Sequence, residues 1–215
     1  MVVERLYIGL ESDGLTSIFS RWILLFWLCV SSGCAPVNVR MKSLLDSGDF
    51  EGAVDAGHTW LREGGNGQAD LTERVEILLA EARMRLAVSS KNISKIAAFR
   101  RGHLRDKRFK EIVEQALERE SVIYLETVAR PRDSVIIYRR FRDTYPKVSV
   151  FGHVKSLEVK AALRDARALK TAAAYRRIRM DYSQWPETRA LTKIALREEA
   201  DLTYRQHVRT RDDLD

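Results

Sequence analysis

From residue 44 onward, apolar positions recur three and four residues apart over long stretches, the spacing that places side chains on one face of a helix. In Leu71 to Ser89 these are Val75, Leu78, Leu79, Ala82 and Leu86, opened by Asp70 as an N-cap. Ile93 to Arg105 follows with Ile93, Ile96, Phe99 and Leu104, and then Phe109 to Val128 with Ile112, Ala116, Ile123 and Leu125. The pattern resumes over Asp133 to Tyr145, Val150 to Leu169, Lys170 to Tyr182 and Thr188 to about Val208. Nearer the start, a short helix ends at Gly48 and a second sets Phe50, Ala53, Val54, Gly57, Trp60 and Leu61 on one face. No segment shows the period-two alternation of a half-buried strand. The chain therefore reads as all-α, with helices in consecutive pairs.

One pair of helices recurs in sequence. Ser134-Val-Ile-Ile-Tyr-Arg-Arg-Phe-Arg-Asp-Thr-Tyr145 returns as Thr171-Ala-Ala-Ala-Tyr-Arg-Arg-Ile-Arg-Met-Asp-Tyr182, a shift of 37 residues that pairs Tyr138 with Tyr175 and Tyr145 with Tyr182. Pro146 and Pro186 follow the two copies, where proline ends one helix and leads to the next. A helix pair of this size cannot bury enough apolar surface alone, so neighbours are expected to share interfaces. The most flexible internal point is Gly64-Gly-Asn-Gly67, a loop and not a phosphate cradle, because no strand precedes it and no Lys-Ser/Thr follows.

The stretch Gly48-Asp49-Phe50, with Ala53 three residues beyond the aromatic, resembles the middle of a tetratricopeptide repeat. In that family such a turn joins helix A to helix B, and the small residue lets the two approach. The 37-residue period with an aromatic-proline ending is similar in style to the repeats of envelope lipoproteins such as the barrel-assembly lipoprotein BamD and the Tol-Pal coordinator protein. The resemblance implies a right-handed α-solenoid of about four tetratricopeptide-like helix pairs over residues 39–208, plus a C-terminal capping helix. Arg197, Glu198, Glu199, Asp201 and Arg205 are expected on the polar outer face of that cap, and residues 209–215 as a charged, fraying tail.

The N-terminus changes the picture. Arg21 precedes an uninterrupted apolar run from Trp22 to Val30, long enough for a signal-peptide core and too short to span a membrane. It breaks into Ser31-Ser-Gly-Cys34, which resembles a bacterial lipoprotein signal: residues 1–33 would be removed, Cys34 lipidated, and residues 34–38 left as a short linker. Ala35, and not the Asp that retains many lipoproteins at the inner membrane, follows Cys34, which implies the periplasmic face of the outer membrane. The only cysteines are Cys29 and Cys34, so the remaining chain has no disulfide framework. The net charge of +7 suits an acidic partner of some kind.

Residues able to carry catalysis or bind metal do not converge in the sequence. His58, His103, His153 and His207 are scattered and share no His-x-x-x-His spacing, and adjacent acids such as Glu198 and Glu199 do not face one another as a catalytic pair would. No cofactor, metal or enzymatic role is expected. The arginines are more suggestive. The two residues after each helix-B tyrosine should point away from the core, so Arg139, Arg140, Arg176 and Arg177 are expected to be exposed, with Arg142 and Arg179 extending the strip and Arg100, Arg101, Arg105, Lys107, Arg108 and Lys110 prolonging it. Such a band is either a solvated charged face, balanced by nearby acids, or a docking surface for an acidic envelope protein or phosphate-rich lipid head groups. Trp185, in an interhelix loop, has no evident core duty and is a candidate interface aromatic. The preferred function is a membrane-tethered scaffold for protein partners, aiding outer-membrane protein assembly, secretion or cell-wall organisation. The alternative is a basic cytoplasmic or signal-anchored helical adaptor associated with nucleic acid, a partner not expected of an exported chain.

Overall fold

A computed structural model describes residues 35–65 and 68–212, and every regular element among them is helical. The signal-peptide segment 1–33 and the lipidation site Cys34 lie outside the described residues. Among those described, no helix is long and apolar enough to cross a membrane.

Helix α1 (Val37–Ser47) stops at Gly48, whose φ of 83° closes the last turn with its N–H on the Leu44 and Leu45 carbonyls. Asp49 then caps α2 (Phe50–Arg62), accepting the Gly52 N–H at 2.9 Å. The Gly-Asp-aromatic turn thus works as the sequence indicates. Helix α3 (Ala69–Ser89) precedes α4 (Ile93–His103), which Asn92 caps by accepting the Lys95 N–H at 3.2 Å. After a single 3-10 turn at Lys107–Phe109 comes α5 (Lys110–Tyr124), which does not end near Val128 as expected. It widens into a π-helical segment, Leu125–Ala129, and runs on through Arg130–Arg132, carrying Pro131 within its last turn. Asp133 makes the turn in the left-handed region with φ 39°.

Helix α6 (Val135–Thr144) leads to α7 (Phe151–Leu169), and α7 turns at Lys170 into α8 (Ala172–Tyr182), capped by Thr171 through the Ala174 N–H at 3.3 Å. A 3-10 turn at Pro186–Thr188 opens α9 (Arg189–Asp212). Helix α9 therefore continues four residues into the segment expected to fray.

The chain divides within α3, after Ala82, into two compact units. In the first, Met41, Val75 and Leu79 form one buried cluster, and Leu45, Ala53 and Ala82 another. In the second unit, one core joins Leu125, Ala129, Tyr138, Phe141, Tyr145, Val154 and Ala161, and the next joins Val159, Leu163, Ala166, Tyr175, Ile178, Tyr182 and Ala195. The repeated tyrosines Tyr138, Tyr145, Tyr175 and Tyr182 are all buried, as their helical spacing requires. Each such side chain stabilises the fold by about 2 kcal/mol or more through apolar area removed from water.

Candidate functional site: an arginine ladder and the groove beside it

Counting from the N-cap aligns the short helices. Asn92, Ser134 and Thr171 precede α4, α6 and α8; four residues on stand Ile96, Tyr138 and Tyr175, and eight residues on stand Arg100, Arg142 and Arg179. The last three share one duty. Each reaches from its helix to a glutamate on the helix that follows, and that glutamate is buried.

Glu120 on α5 receives Arg100 Nε at 3.0 Å and, on its other oxygen, the Tyr145 hydroxyl at 2.9 Å. Glu158 on α7 is fully buried. Arg142 Nε donates to its Oε2 at 2.6 Å, while Arg139 Nε and the Tyr182 hydroxyl donate to its Oε1, both at 3.0 Å. Glu199 on α9 takes Arg176 Nε at 2.8 Å and Arg179 Nε at 3.2 Å. A lone carboxylate at these depths would cost several kcal/mol. Guanidinium donors, two on Glu158 and on Glu199 and one with a tyrosine hydroxyl on Glu120, offset that cost, and they tie each short helix to the next long one with directional contacts. The Arg176 guanidinium, with Arg179 adding to it, holds the Glu199 carboxyl below the usual carboxylate range. Burial pushes the Tyr182 hydroxyl up to about 12, and burial together with the Asp133 carboxylate does the same to Tyr138.

The ladder adds partners to the expected exposed band. Arg101, Arg105, Arg140 and Arg177 are exposed, and so are Arg139 and Arg176, at 44% and 59% of their side chains, although both bond to buried carboxylates. Arg100, Arg142 and Arg179 are the ones drawn in, and Arg142 keeps only 21% of its side chain exposed. Glu199 is not on the outer face of the last helix but inside, and its neighbour Glu198 is half-buried and bonded to Arg167. Trp185 also has a structural duty. It packs against Tyr182 with ring centroids 5.0 Å apart and carries the Arg142 guanidinium over its face at 4.6 Å, with Lys155 Nζ 5.2 Å away.

The three glutamates were not identified from sequence, although a signal was there. Each interrupts an apolar stripe at the same place: Ala116-Glu120-Ile123, Val154-Glu158-Ala161 and Ala195-Glu199-Leu202, with the apolar residues four before and three after. A carboxylate on such a stripe must find cations on the facing helix, and the Tyr-Arg-Arg repeat supplies them.

Beside the ladder, α6 and α8 leave a groove of about 460 Å³ over the C-terminal half of α7. Ala162, Ala166 and Ala174 pave its floor, Leu169 stands at one end, and Arg177 and Asp181 form one rim. His58, His103, His153 and His207 remain dispersed, and among the described residues no group of three or more His, Cys, Asp or Glu is placed to hold a metal ion. Compared with family models, curated proteins and solved structures, the chain matches none.

Proposed function

We propose that the chain is a membrane-tethered protein-interaction scaffold of the bacterial cell envelope. Its helices form a right-handed α-solenoid of about four tetratricopeptide-like pairs ending in α9, held by lipid on Cys34 at the periplasmic face of the outer membrane. The observation that carries this reading is the recurrence of one contact set, arginine of a short helix on buried glutamate of the next long one, at three successive junctions. Recurrent nearest-neighbour contacts are how repeat arrays hold an extended binding face. The α6–α8 groove receives an apolar anchor of the partner, while exposed Arg140 and Arg177 draw acidic residues toward it. Helix α1 begins only three residues after Cys34, so a lipid on that cysteine would hold the helices close to the membrane surface.

Two measurements on cells test the reading. Cys34→Ser should abolish incorporation of a palmitate analogue and move the chain out of the membrane fraction, because acyl chains anchor where nine apolar residues do not. A photo-crosslinking residue at Leu169 should capture an envelope protein that the same residue at exposed Gln115 does not. Unchanged membrane association of the serine variant after a high-salt wash would defeat the tether. Identical crosslinks at both positions would defeat the groove.

A further inference from the structure

The ladder stops at α9. This helix follows α8 as α7 follows α6, and their residues correspond at a shift of 41: Glu199 with Glu158, Ala195 with Val154, Ala200 with Val159, Tyr204 with Leu163. In α7, Val159 and Leu163 are buried in the core that α8 completes. In α9 the same places hold exposed Ala200 and Tyr204, the tyrosine 71% exposed where the leucine is 4%. Leu196 and Val208, 48% and 39% exposed, lie one turn to either side. Leu196, Ala200, Tyr204 and Val208 thus make a stripe at four-residue spacing on the side of α9 where another helix would pack.

We infer that this stripe is a homodimer interface, in which α9 of a second copy occupies on α9 the place that α8 occupies on α7. A two-fold axis perpendicular to the helix sets the two copies antiparallel. That is the direction α8 already has relative to α7, since the chain turns at Lys170 and Tyr182 lies opposite Glu158. Ala200 at the crossing point allows helix axes to approach to about 8 Å, and Leu196 then faces Tyr204 of the second copy. The flanking charges are self-complementary. Arg197 and Asp201, both exposed and one turn apart, are brought by the antiparallel arrangement each beside the opposite charge of the other copy. The interface continues one already present within the chain, with the same polarity and the same positions.

The test uses the full chain in mild detergent, with Cys29 and Cys34 replaced by Ser. Ala200→Cys, at the axis, should form an intermolecular disulfide on mild oxidation, whereas Gln115→Cys, exposed on α5, should not. Sedimentation should show a dimer that Ala200→Arg weakens by about tenfold or more while leaving helical content unchanged. Tyr204→Glu should act likewise, and it keeps the question answerable if the arginine variant fails to fold. A monomer throughout, or a dimer indifferent to both substitutions and lacking the Ala200→Cys crosslink, would overturn the proposal and leave the stripe to a different protein. Neither result depends on the lipid tether or on the α6–α8 groove.

Discussion

Gly57 and Leu79 meet where, in the later helices, an arginine meets a buried glutamate. Gly57 stands eight residues after the cap Asp49, as Arg100 does after Asn92, and Leu79 precedes the next cap by thirteen residues, as Glu158 does. A Cβ on Gly57 would lie 3.3 Å from Leu79 Cδ1 and 2.8 Å from Met41 Cε. The first junction is therefore an apolar version of the ladder, with closeness in place of charge. Gly57→Ala should alter stability by less than about 1 kcal/mol, since better helix propensity offsets a small shift of the flexible Met41 methyl. Gly57→Leu should cost about 1 to 3 kcal/mol or more through overpacking. Thermal melts of the two variants decide, and equal losses would mean that the close approach is not what requires glycine.

The middle rung carries an asymmetry that can be measured. Glu158 is fully buried, but Arg139 is 44% exposed and can turn its head to water. Glu158→Met should therefore cost less than about 2 kcal/mol, while Arg139→Met with Arg142→Met strands a buried carboxylate and should cost about 3 to 5 kcal/mol. Denaturant unfolding of both variants tests the order, and the reverse order would mean that the arginines contribute nothing beyond packing.

Within each Tyr-Arg-Arg copy the three residues should separate cleanly. Tyr138→Ala and Tyr175→Ala remove buried rings and should destabilise by about 2 to 4 kcal/mol. Arg140→Gln and Arg177→Gln, at exposed sites, should stay within about 0.5 kcal/mol. Arg176→Gln should fall between them, because it loosens Glu199. An Arg140 variant as damaging as the Tyr138 variant would show that the exposed arginine has a structural partner.

Stability should fall at both ends of the pH range. Tyr138 and Tyr182 ionise near 12 in the fold against an ordinary value of 10.0, so their contribution is complete below pH 10 and is lost as pH rises through 12. Glu199 is held below its ordinary 4.5, so its contribution is present above that pH and lost as pH falls through the depressed value. Melting temperature should form a plateau between these limits. Tyr182→Phe should flatten the alkaline fall, and Glu199→Gln should lower the plateau and flatten the acid fall. Profiles that superimpose on the parent chain would remove these groups from the pH response.

Helix existence was legible from apolar spacing, and the buried tyrosines followed from the same spacing, whereas Asp70, read as an N-cap, lies inside α3, which begins at Ala69. The acid partners of the arginines were not legible. A long side chain can leave an outward-facing Cα and bend back, so the position of Arg142 on its helix does not settle where its guanidinium goes. The packing duty of Trp185 was hidden for a related reason: Arg142, whose guanidinium lies over its ring, stands on another helix, 43 residues back in the chain. The exposed positions Arg140 and Arg177 were read correctly, since their helix faces have no buried acid to reach.

The π-helical segment Leu125–Ala129 bears on how this architecture tolerates changes of length. Glu120 precedes its following cap, Ser134, by fourteen residues, whereas Glu158 precedes Thr171 by thirteen. One extra residue is thus absorbed inside a helix as a widened turn, leaving the faces on either side in phase. Removing Thr127 should convert the widened turn to ordinary α-helix while keeping Tyr145 within reach of Glu120. An insertion of this kind adds to the chain without displacing a contact, so the array can lengthen its helices one residue at a time and keep its rungs aligned.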